Sequence, residues 1–404
     1  MTALLKLFSS LKLTVILLTL SLVLIFFGTL DQVEFGIWET QKRYFESFFV
    51  LWSYPEHAVA GSYLRWLVLP LPGGYLLGGL LLINLCAAHA TRFQLTWKKS
   101  GLFCIHLGLI LLLISELLTD ILSEESQMSI DEGSSSHYSE TVLENELVLI
   151  DRSHPEHDQV HSVPSARLKN PQIIPIPGTS LSLRALKYLP NAKIARASEN
   201  LPQNDELANR GIVERIPLQV IPIPIDYSTD AINTATAYVE IFETVKSSDS
   251  GLQTDQKSLG IWLVSNVIDE RFPAQTVNSE SGSYELALRF KRSYHPFSVA
   301  LIDFTHEKYP GTDIPYNFSS EVVIEDLSTD QQQKALIYMN HPLRYGGLTF
   351  YQASFANEDR TSIFQVVKNP GWLLPYVSVL LMGLGMCFQF GLHFLKFSRK
   401  AQKS

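Results

Sequence analysis

Four long apolar runs constrain this sequence more than any other feature. They cover residues 13–30, 66–88, 101–115 and 372–395, and the third continues past Glu116 to residue 122. A helix needs roughly 20 apolar residues to cross the hydrocarbon core of a bilayer, and each run is long enough. The sequence therefore predicts a protein of the lipid bilayer, with transmembrane helices at 13–30, 66–88, 101–122 and from 372 onward.

The first run has an alternative interpretation as a cleaved signal peptide, because Lys6 and Lys12 precede it. Its apolar stretch is longer than the roughly 7–15 residues of a signal core, and no small-x-small cleavage site follows it. We therefore expect a retained helix.

Lys and Arg near the helix ends predict the orientation of the chain. The segments 1–12, 89–100 and 396–404 together carry nine Lys or Arg and no Asp or Glu. Basic residues accumulate on the cytoplasmic side of membranes, so these segments and both termini are expected there. The outer parts then hold all 40 acidic residues against 23 basic ones. An acidic surface of this kind excludes nucleic acid as a partner.

A large outer region, residues 123–371, separates the third and fourth helices. Its segments alternate apolar and polar residues with the period of strands, for example at 141–150, 180–189 and 234–245. Proline-rich stretches at 171–178 and 216–226 restrict any strand there to a sheet edge. We predict an extracytoplasmic β-rich domain, an antiparallel sandwich or barrel-like sheet, in which the polar tract 123–140 is a linker. The remaining parts are a membrane region, 1–122, and a last helix with a basic tail, 372–404.

Cysteine placement excludes one class of function. Cys86, Cys104 and Cys387 all lie in apolar runs, and the outer parts contain none. A thiol oxidoreductase needs thiols in an aqueous site, so that activity is excluded on the outer face. A solute transporter is disfavoured as well, because the chain has few helices and no inverted repeat.

The outer domain shows no convincing catalytic motif. His154, His157 and His161 have the spacing of a possible metal site, but Pro155 breaks any helix that would align them. A solvated polar loop is the better interpretation. The aromatic segment 44–54 is either an interfacial anchor or a docking surface for a membrane partner.

Three histidines lie near the predicted cytoplasmic ends of the helices. His89 ends the second helix, His393 lies in the last turn of the fourth, and His106 is about 7.5 Å inside the third. An imidazole in hydrocarbon is costly unless it has a partner, and neutral imidazole is also a ligand for haem iron. For His106 the alternative is a hydrogen bond between helices, to Asn84. His89 and His393 are alternatively ordinary boundary residues.

Two stretches carry a resemblance to a known family. Residues 295–326 contain Tyr309-Pro310-Gly311, and residues 340–372 contain Asn340-His341-Pro342-Leu343, Phe350-Tyr351-Gln352 and an "NPGW" that leads into the last helix. These motifs, and the order of helices and outer domain, resemble the ResB family of cytochrome c biogenesis proteins. Residues 151–280 carry no matching motif.

The resemblance implies a subunit of a system II cytochrome c synthase in a bacterial cytoplasmic membrane. Such a subunit holds haem b as transient cargo, and with a CcsA-type haem-handling membrane protein it delivers haem to apocytochrome c. The haem ligand is then expected at His106, with His89 and His393 as further candidates and Arg92, Lys98 and Lys99 near the propionates. The length implies the unfused form, which is not catalytic alone. The competing hypothesis is an assembly scaffold that binds no haem.

Overall fold

The computed structural model describes residues 3–54, 66–92, 96–155, 157–196, 207–226, 232–246, 254–312, 315–329, 331–357 and 360–401. The chain divides into two compact units. The membrane unit comprises Met1–Glu124 and Lys368–Ser404. The β unit comprises Glu125–Asp226 and Ala231–Val367.

The membrane unit is helical. Its helices are α1 (Ala3–Phe8), α2 (Leu11–Tyr44), α3 (Gly74–Arg92), α4 (Ser100–Leu122) and α7 (Leu374–Ala401), whereas the short α5 (Ser165–Leu168) and α6 (Asn266–Arg271) belong to the β unit. Four of these helices, α2, α3, α4 and α7, are long and apolar enough to cross a membrane. The prediction of four transmembrane helices and a β-rich domain is confirmed.

Helix α2 extends well beyond the predicted segment 13–30 and turns sharply at Gly36. The backbone there has φ 75° and ψ 174°, a conformation that only glycine adopts readily. The chain folds back after this turn, so that the ring of Tyr44 lies 3.5 Å from the position of a Cβ on Gly28. Tyr44 is fully buried as a result.

The second transmembrane helix begins at Gly74 and not at residue 66. Val68–Pro72 form strand β2, which pairs antiparallel with β1 (Phe49–Ser53). Pro70 and Pro72 explain the difference, because proline lacks the N–H donor that a helix interior requires. Within the aromatic segment 44–54, Phe48 and Phe49 are exposed, whereas Tyr44 and Trp52 turn into the core of the unit.

Helices α4 and α7 pack antiparallel at very short range through small residues. A Cβ on Gly101 would lie 2.6 Å from the carbonyl oxygen of Gly385. A Cβ on Gly385 would lie 2.7 Å from the carbonyl oxygen of Gly101. One heptad along α4, a Cβ on Gly108 would lie 2.8 Å from the carbonyl oxygen of Ser378. Helices approach this closely in membranes only where side chains are small.

The β unit contains two sheets and a separate hairpin. A 10-stranded sheet runs β15-β14-β13-β4-β3-β18-β17-β16, with β12 on β13 and β5 on β4; a four-stranded sheet runs β11-β10-β7-β6; and β8 pairs with β9. The strands are β3 (Glu124–Asp131), β4 (Ser135–Asp151), β5 (Gln159–Pro164), β6 (Ile173–Pro175), β7 (Leu181–Leu189), β8 (Ala192–Arg196), β9 (Leu218–Pro222), β10 (Thr236–Lys246), β11 (Thr254–Ser265), β12 (Gln275–Ser279), β13 (Gly282–Lys308), β14 (Pro315–Asp326), β15 (Gln332–Tyr338), β16 (Leu343–Tyr345), β17 (Leu348–Ala356) and β18 (Thr361–Lys368). The proline-containing β6 is an edge strand, as predicted.

Two hydrophobic cores lie along the long strand β13. In the first, side chains of the four-stranded sheet such as Leu183 and Val239 pack with Leu147 and Leu286 of the large sheet, which makes this part a sandwich. The second core lies within the large sheet, and its buried residues include Phe297, Val299, Val322, Phe350 and Phe364.

The prediction of a linker at 123–140 was wrong. Glu124–Asp131 form β3, and residues 135–140 form the first part of β4. The segment has few apolar residues, but Met128 and Ile130 are buried in the second core. A strand needs only alternate residues to face a core, and neighbouring strands supply its backbone partners.

The residues that carried the ResB resemblance are structural. Strands β16 and β17 form a hairpin whose turn has φ 57° at Gly346 and φ 79° at Gly347. A Cβ on Gly346 would also lie 2.7 Å from the Phe297 ring. Gln352 accepts a hydrogen bond of 2.7 Å from Ser320 Oγ and donates one of 3.0 Å to Ser362 Oγ, inside the sheet.

Candidate functional site

The structure brings two of the three candidate histidines together. His89 in the last turn of α3 and His106 in the second turn of α4 have ring centroids 4.7 Å apart, with the ring planes at 88°. Both side chains are half-buried. An edge-to-face pair of imidazoles therefore lies between two transmembrane helices, near the ends that are predicted to face the cytoplasm.

The hydrogen bonding of the pair leaves one nitrogen of His106 without a partner among the described residues. Nδ1 of His89 lies 3.2 Å from the carbonyl oxygen of Leu85, one turn back on its own helix. Nδ1 of His106 is buried and has no hydrogen-bond partner among the residues that the structure describes. A buried imidazole nitrogen without a partner is costly, so this position favours a further ligand.

The alternative partner for His106, Asn84, is engaged elsewhere. Its Nδ2 donates hydrogen bonds to the carbonyl oxygens of Phe8 (2.6 Å) and Ser10 (3.2 Å), and its Oδ1 accepts one from Thr14 Oγ1 (2.6 Å). Asn84 thus joins α3 to the junction between α1 and α2. The alternative interpretation, a hydrogen bond between His106 and Asn84, is therefore not what the structure shows.

The separation of the two rings limits what they can bind together. A metal–imidazole bond is about 2 Å long, so two imidazoles on opposite faces of one haem would have centroids about 6 Å apart. At 4.7 Å the two rings are too close for that arrangement. In this geometry, one imidazole can ligate iron from this chain while the other packs against its edge.

His393 lies apart from the pair. It is exposed, and its Nδ1 lies 2.7 Å from the carbonyl oxygen of Gln389 on its own helix. Gln389 is at the level of Gly101, because its Cβ would lie 2.9 Å from a Cβ on Gly101. His393 lies one turn beyond Gln389 on α7. His106 lies five residues beyond Gly101 on α4, and because the two helices are antiparallel, this is the opposite direction. The two residues are therefore about 14 Å apart along the helix axes.

Two of the three basic residues predicted near the haem propionates, Lys98 and Lys99, are exposed. Lys98 and Lys99 lie in the short 3-10 turn Trp97–Lys99, which leads into α4. The side chain of Arg92 lies outside the described part of the chain. The Trp97 ring packs edge-on against Phe388 of α7, with centroids 5.5 Å apart.

Sequence reasoning missed a buried carboxylate at the opposite end of the membrane unit. Asp31 is 4% exposed and accepts hydrogen bonds from Tyr44 Oη (2.6 Å) and Trp52 Nε1 (3.0 Å). The guanidinium of Arg43 lies 3.8 Å away. These contacts hold the folded-back end of α2 and the β1–β2 hairpin to the first transmembrane helix. The only signal in the sequence was an acidic residue directly after an apolar run.

The histidines of the β unit form no site of three or more metal ligands within the described residues. His154 and His157 are exposed, with ring centroids 4.0 Å apart, and His161 lies on β5. Separately, His295 Nε2 lies 3.0 Å from Ser139 Oγ at a bulge of β13. Burial, and next the charge of His137, lower the pKa of His295 below its usual range.

Comparison with known proteins agrees with the sequence motifs. Residues 272–363 match the ResB-like family. The chain is also 33% identical over 91 residues to protein NrfI of Wolinella succinogenes, a stretch that covers 22% of this chain and 10% of that protein. The chain thus spans about a tenth of the length of this relative. The resemblance seen in the sequence is confirmed over residues 272–363, in a chain whose described part has a β-rich domain and four helices long and apolar enough to cross a membrane.

Proposed function

We propose that this chain is a haem-handling subunit of a system II cytochrome c synthase. It holds haem b as cargo at His106 and, with a CcsA-type membrane partner, delivers it across a bacterial cytoplasmic membrane for attachment to apocytochrome c. Both termini lie in the cytoplasm and the β unit lies outside. The observation that carries the proposal is the pairing of His106 with His89, in which Nδ1 of His106 is buried without a hydrogen-bond partner among the described residues.

The chain's own residues have separable roles in this proposal. His106 supplies the lone pair of a neutral imidazole to the iron. His89 packs edge-on against that ring and limits its rotation. The backbone bond of His89 Nδ1 to Leu85 in turn orients His89. Lys98 and Lys99, at the start of α4, are available to neutralise the propionates.

The second iron ligand comes from the partner. The 4.7 Å separation of the imidazoles supports this assignment, because it is too short for both rings to ligate opposite faces of one haem. A haem with one ligand from each subunit would be held only in the assembled complex. The chain would then retain little haem when purified alone.

A scaffold without haem is the second candidate function. One observation favours it: the motifs shared with ResB form turns and core of the β unit and do not include His89 or His106. A family defined by such a domain is compatible with assembly alone. Haem content separates the two functions.

The test is an absorption spectrum of the protein purified with its CcsA-type partner. We expect His106→Ala to lower the Soret absorbance at least tenfold, and added imidazole to restore it by filling the vacated position. His89→Ala should shift the band, and His393→Ala, the matched control, should leave it unchanged. Equal Soret bands for wild type and His106→Ala would show that His106 is not the haem ligand. A wild-type complex without a Soret band would replace this proposal with the scaffold.

A further inference from the structure

The membrane unit contains a large cleft at the ends of the helices opposite to His89 and His106. It has a volume of about 1070 Å³ and lies between α2, α3 and α4. Its apolar wall includes Ile25, Leu82, Leu113, Leu117 and Ile121. A cleft of this size between transmembrane helices does not stay empty in a bilayer. The residues that line it indicate which molecule occupies it.

Glycines form one wall of the cleft. Gly78 and Gly79 of α3 line it, and a Cβ on either residue would meet no atom within 4 Å. By contrast, Gly74, one turn earlier, is required by the fold, since its Cβ would lie 2.4 Å from the carbonyl oxygen of Phe45. The face at Gly78 and Gly79 is open in this chain. Small residues on a transmembrane helix allow a second helix to approach its backbone closely.

The rim of the cleft is acidic. Glu46, Glu116 and Asp120 line it, and no Lys or Arg does so among the residues that the structure describes. Glu116 and Asp120 are one turn apart on α4, a spacing at which like charges repel. Tyr75 Oη donates a hydrogen bond of 2.5 Å to Asp120, which leaves the net charge unchanged. Burial, and next the charge of Asp120, raise the pKa of Glu46, while the charge of Lys42 partly opposes this.

A buried hydroxyl in the wall also lacks a partner. Thr40 lies on the folded-back part of α2, lines the cleft and is 3% exposed. Its Oγ1 makes no hydrogen bond within the described residues. An unsatisfied hydroxyl at membrane depth is costly, and a donor or acceptor that enters the cleft would satisfy it.

We propose that this cleft receives a transmembrane helix of the partner membrane protein, with a Lys or Arg of that helix placed between Glu116 and Asp120. The inference rests on the proposed function, which supplies the partner. A polar group of the same helix bonds Thr40, and its backbone lies against Gly78 and Gly79. The partner's helix thereby positions its haem ligand on the same side of the unit as α3 and α4.

The dimensions of the cleft fit this occupant. A helix about 10 Å across has a cross-section of about 80 Å², so the cleft holds about nine residues, or two and a half turns. A phospholipid fits less well, because its phosphate would approach three carboxylates and its acyl chains have no need of an open glycine face. A partner helix with one cation matches both features.

The first experiment is photo-crosslinking in membranes that contain this chain and the CcsA-type protein. Benzoylphenylalanine replaces Leu82 or Leu117, which line the cleft, or Val379 on the exposed face of α7 as the control. We expect a covalent adduct with the partner from the two lining positions and none from the control. Adducts with phospholipid or with a second copy of this chain, in place of the partner, would overturn the proposal.

The second experiment measures how much partner is recovered with the tagged chain. Gly78→Leu fills the glycine wall, and the pair Glu116→Lys with Asp120→Lys reverses the charge; each should reduce recovery at least tenfold. The controls are Gly383→Leu, at an equally open glycine of α7, and Glu34→Lys, an exposed carboxylate outside the cleft. Full recovery with both cleft variants would overturn the inference.

The haem spectrum of the wild-type complex, recorded on the same samples, separates two kinds of failure. If partner and haem are recovered with every variant, the cleft is not the docking site and the proposed function stands. If the wild type recovers neither, the proposed function fails and the inference fails with it.

Discussion

Replacement of Asp31 tests the reasoning about the membrane unit most directly. Its carboxylate joins three successive pieces of chain, the first transmembrane helix, the folded-back end of α2 and strand β1. Asp31→Ala removes the acceptor for both Tyr44 and Trp52. Tyr44 is fully buried and Trp52 is 5% exposed, so water does not replace the lost bonds without opening the structure.

The loss in free energy of unfolding follows from the number of buried donors that Asp31→Ala leaves without an acceptor. A buried donor without an acceptor costs about 1–3 kcal/mol, and two such donors cost about 2–6 kcal/mol. Asp31→Asn retains one acceptor oxygen and loses the charge opposite Arg43, so the expected cost is about half. Tyr44→Phe removes one donor only and should cost about 1 kcal/mol.

Amide hydrogen exchange in detergent measures this loss locally. The β1–β2 hairpin and residues 37–44 should exchange at least 25-fold faster in Asp31→Ala, since 1.4 kcal/mol corresponds to a tenfold change in an opening equilibrium. Strands β13 and β14 of the β unit serve as the internal control and should keep their protection. Unchanged exchange in the hairpin would show that Asp31 does not hold these segments, and would refute the assignment.

Two further predictions concern pH and helix packing. The lowered pKa of His295 means that the unfolded chain binds the proton more tightly than the folded chain. The contribution of neutral His295 to the stability of the fold is therefore complete above the unfolded pKa near 6.5 and declines as the pH falls below it. The melting temperature of the β unit should therefore drop between pH 7.5 and 5.5 by more in wild type than in His295→Gln, and equal drops would contradict the prediction. Gly385→Val places a side chain against the backbone of Gly101 and should lower the free energy of unfolding of the α4–α7 pair by at least about 1–3 kcal/mol. Gly383→Val, where a Cβ meets no atom, is the control for thermal melting in detergent, and equal melting of the two variants would argue against the close packing.

The number and type of the membrane helices were predictable from sequence, because the constraint is local. A backbone in hydrocarbon must satisfy its own hydrogen bonds, so about 20 apolar residues specify a helix without reference to the rest of the chain. The β hairpin at Gly346 and Gly347 was predictable for a similar reason, since both glycines lie where a positive φ is needed.

The course of α2 beyond Leu30 was not predictable in the same way. The segment after Leu30 contains Asp31, Gln32 and Glu34, which by themselves argue for an aqueous loop. Asp31 is buried because donors from residues 44 and 52 converge on it, and that convergence depends on the turn at Gly36. The same holds for the polar strand β3, because one of its two neighbours, β18, comes from far along the chain.

The candidate site was also predictable only in part. The sequence alone identified His106 as an expensive polar residue inside an apolar helix and offered Asn84 as its partner, whereas the structure places His89 beside it. These two are five residues apart on α3, which places them about 140° apart around the helix, so only one can face His106. Which of the two faces His106 depends on the rotation of α3 about its axis, and packing sets that rotation. Asn84 faces the carbonyl oxygens of Phe8 and Ser10, and His89 therefore faces α4. Local chemistry determined which residues required partners, and tertiary packing decided which partners they received.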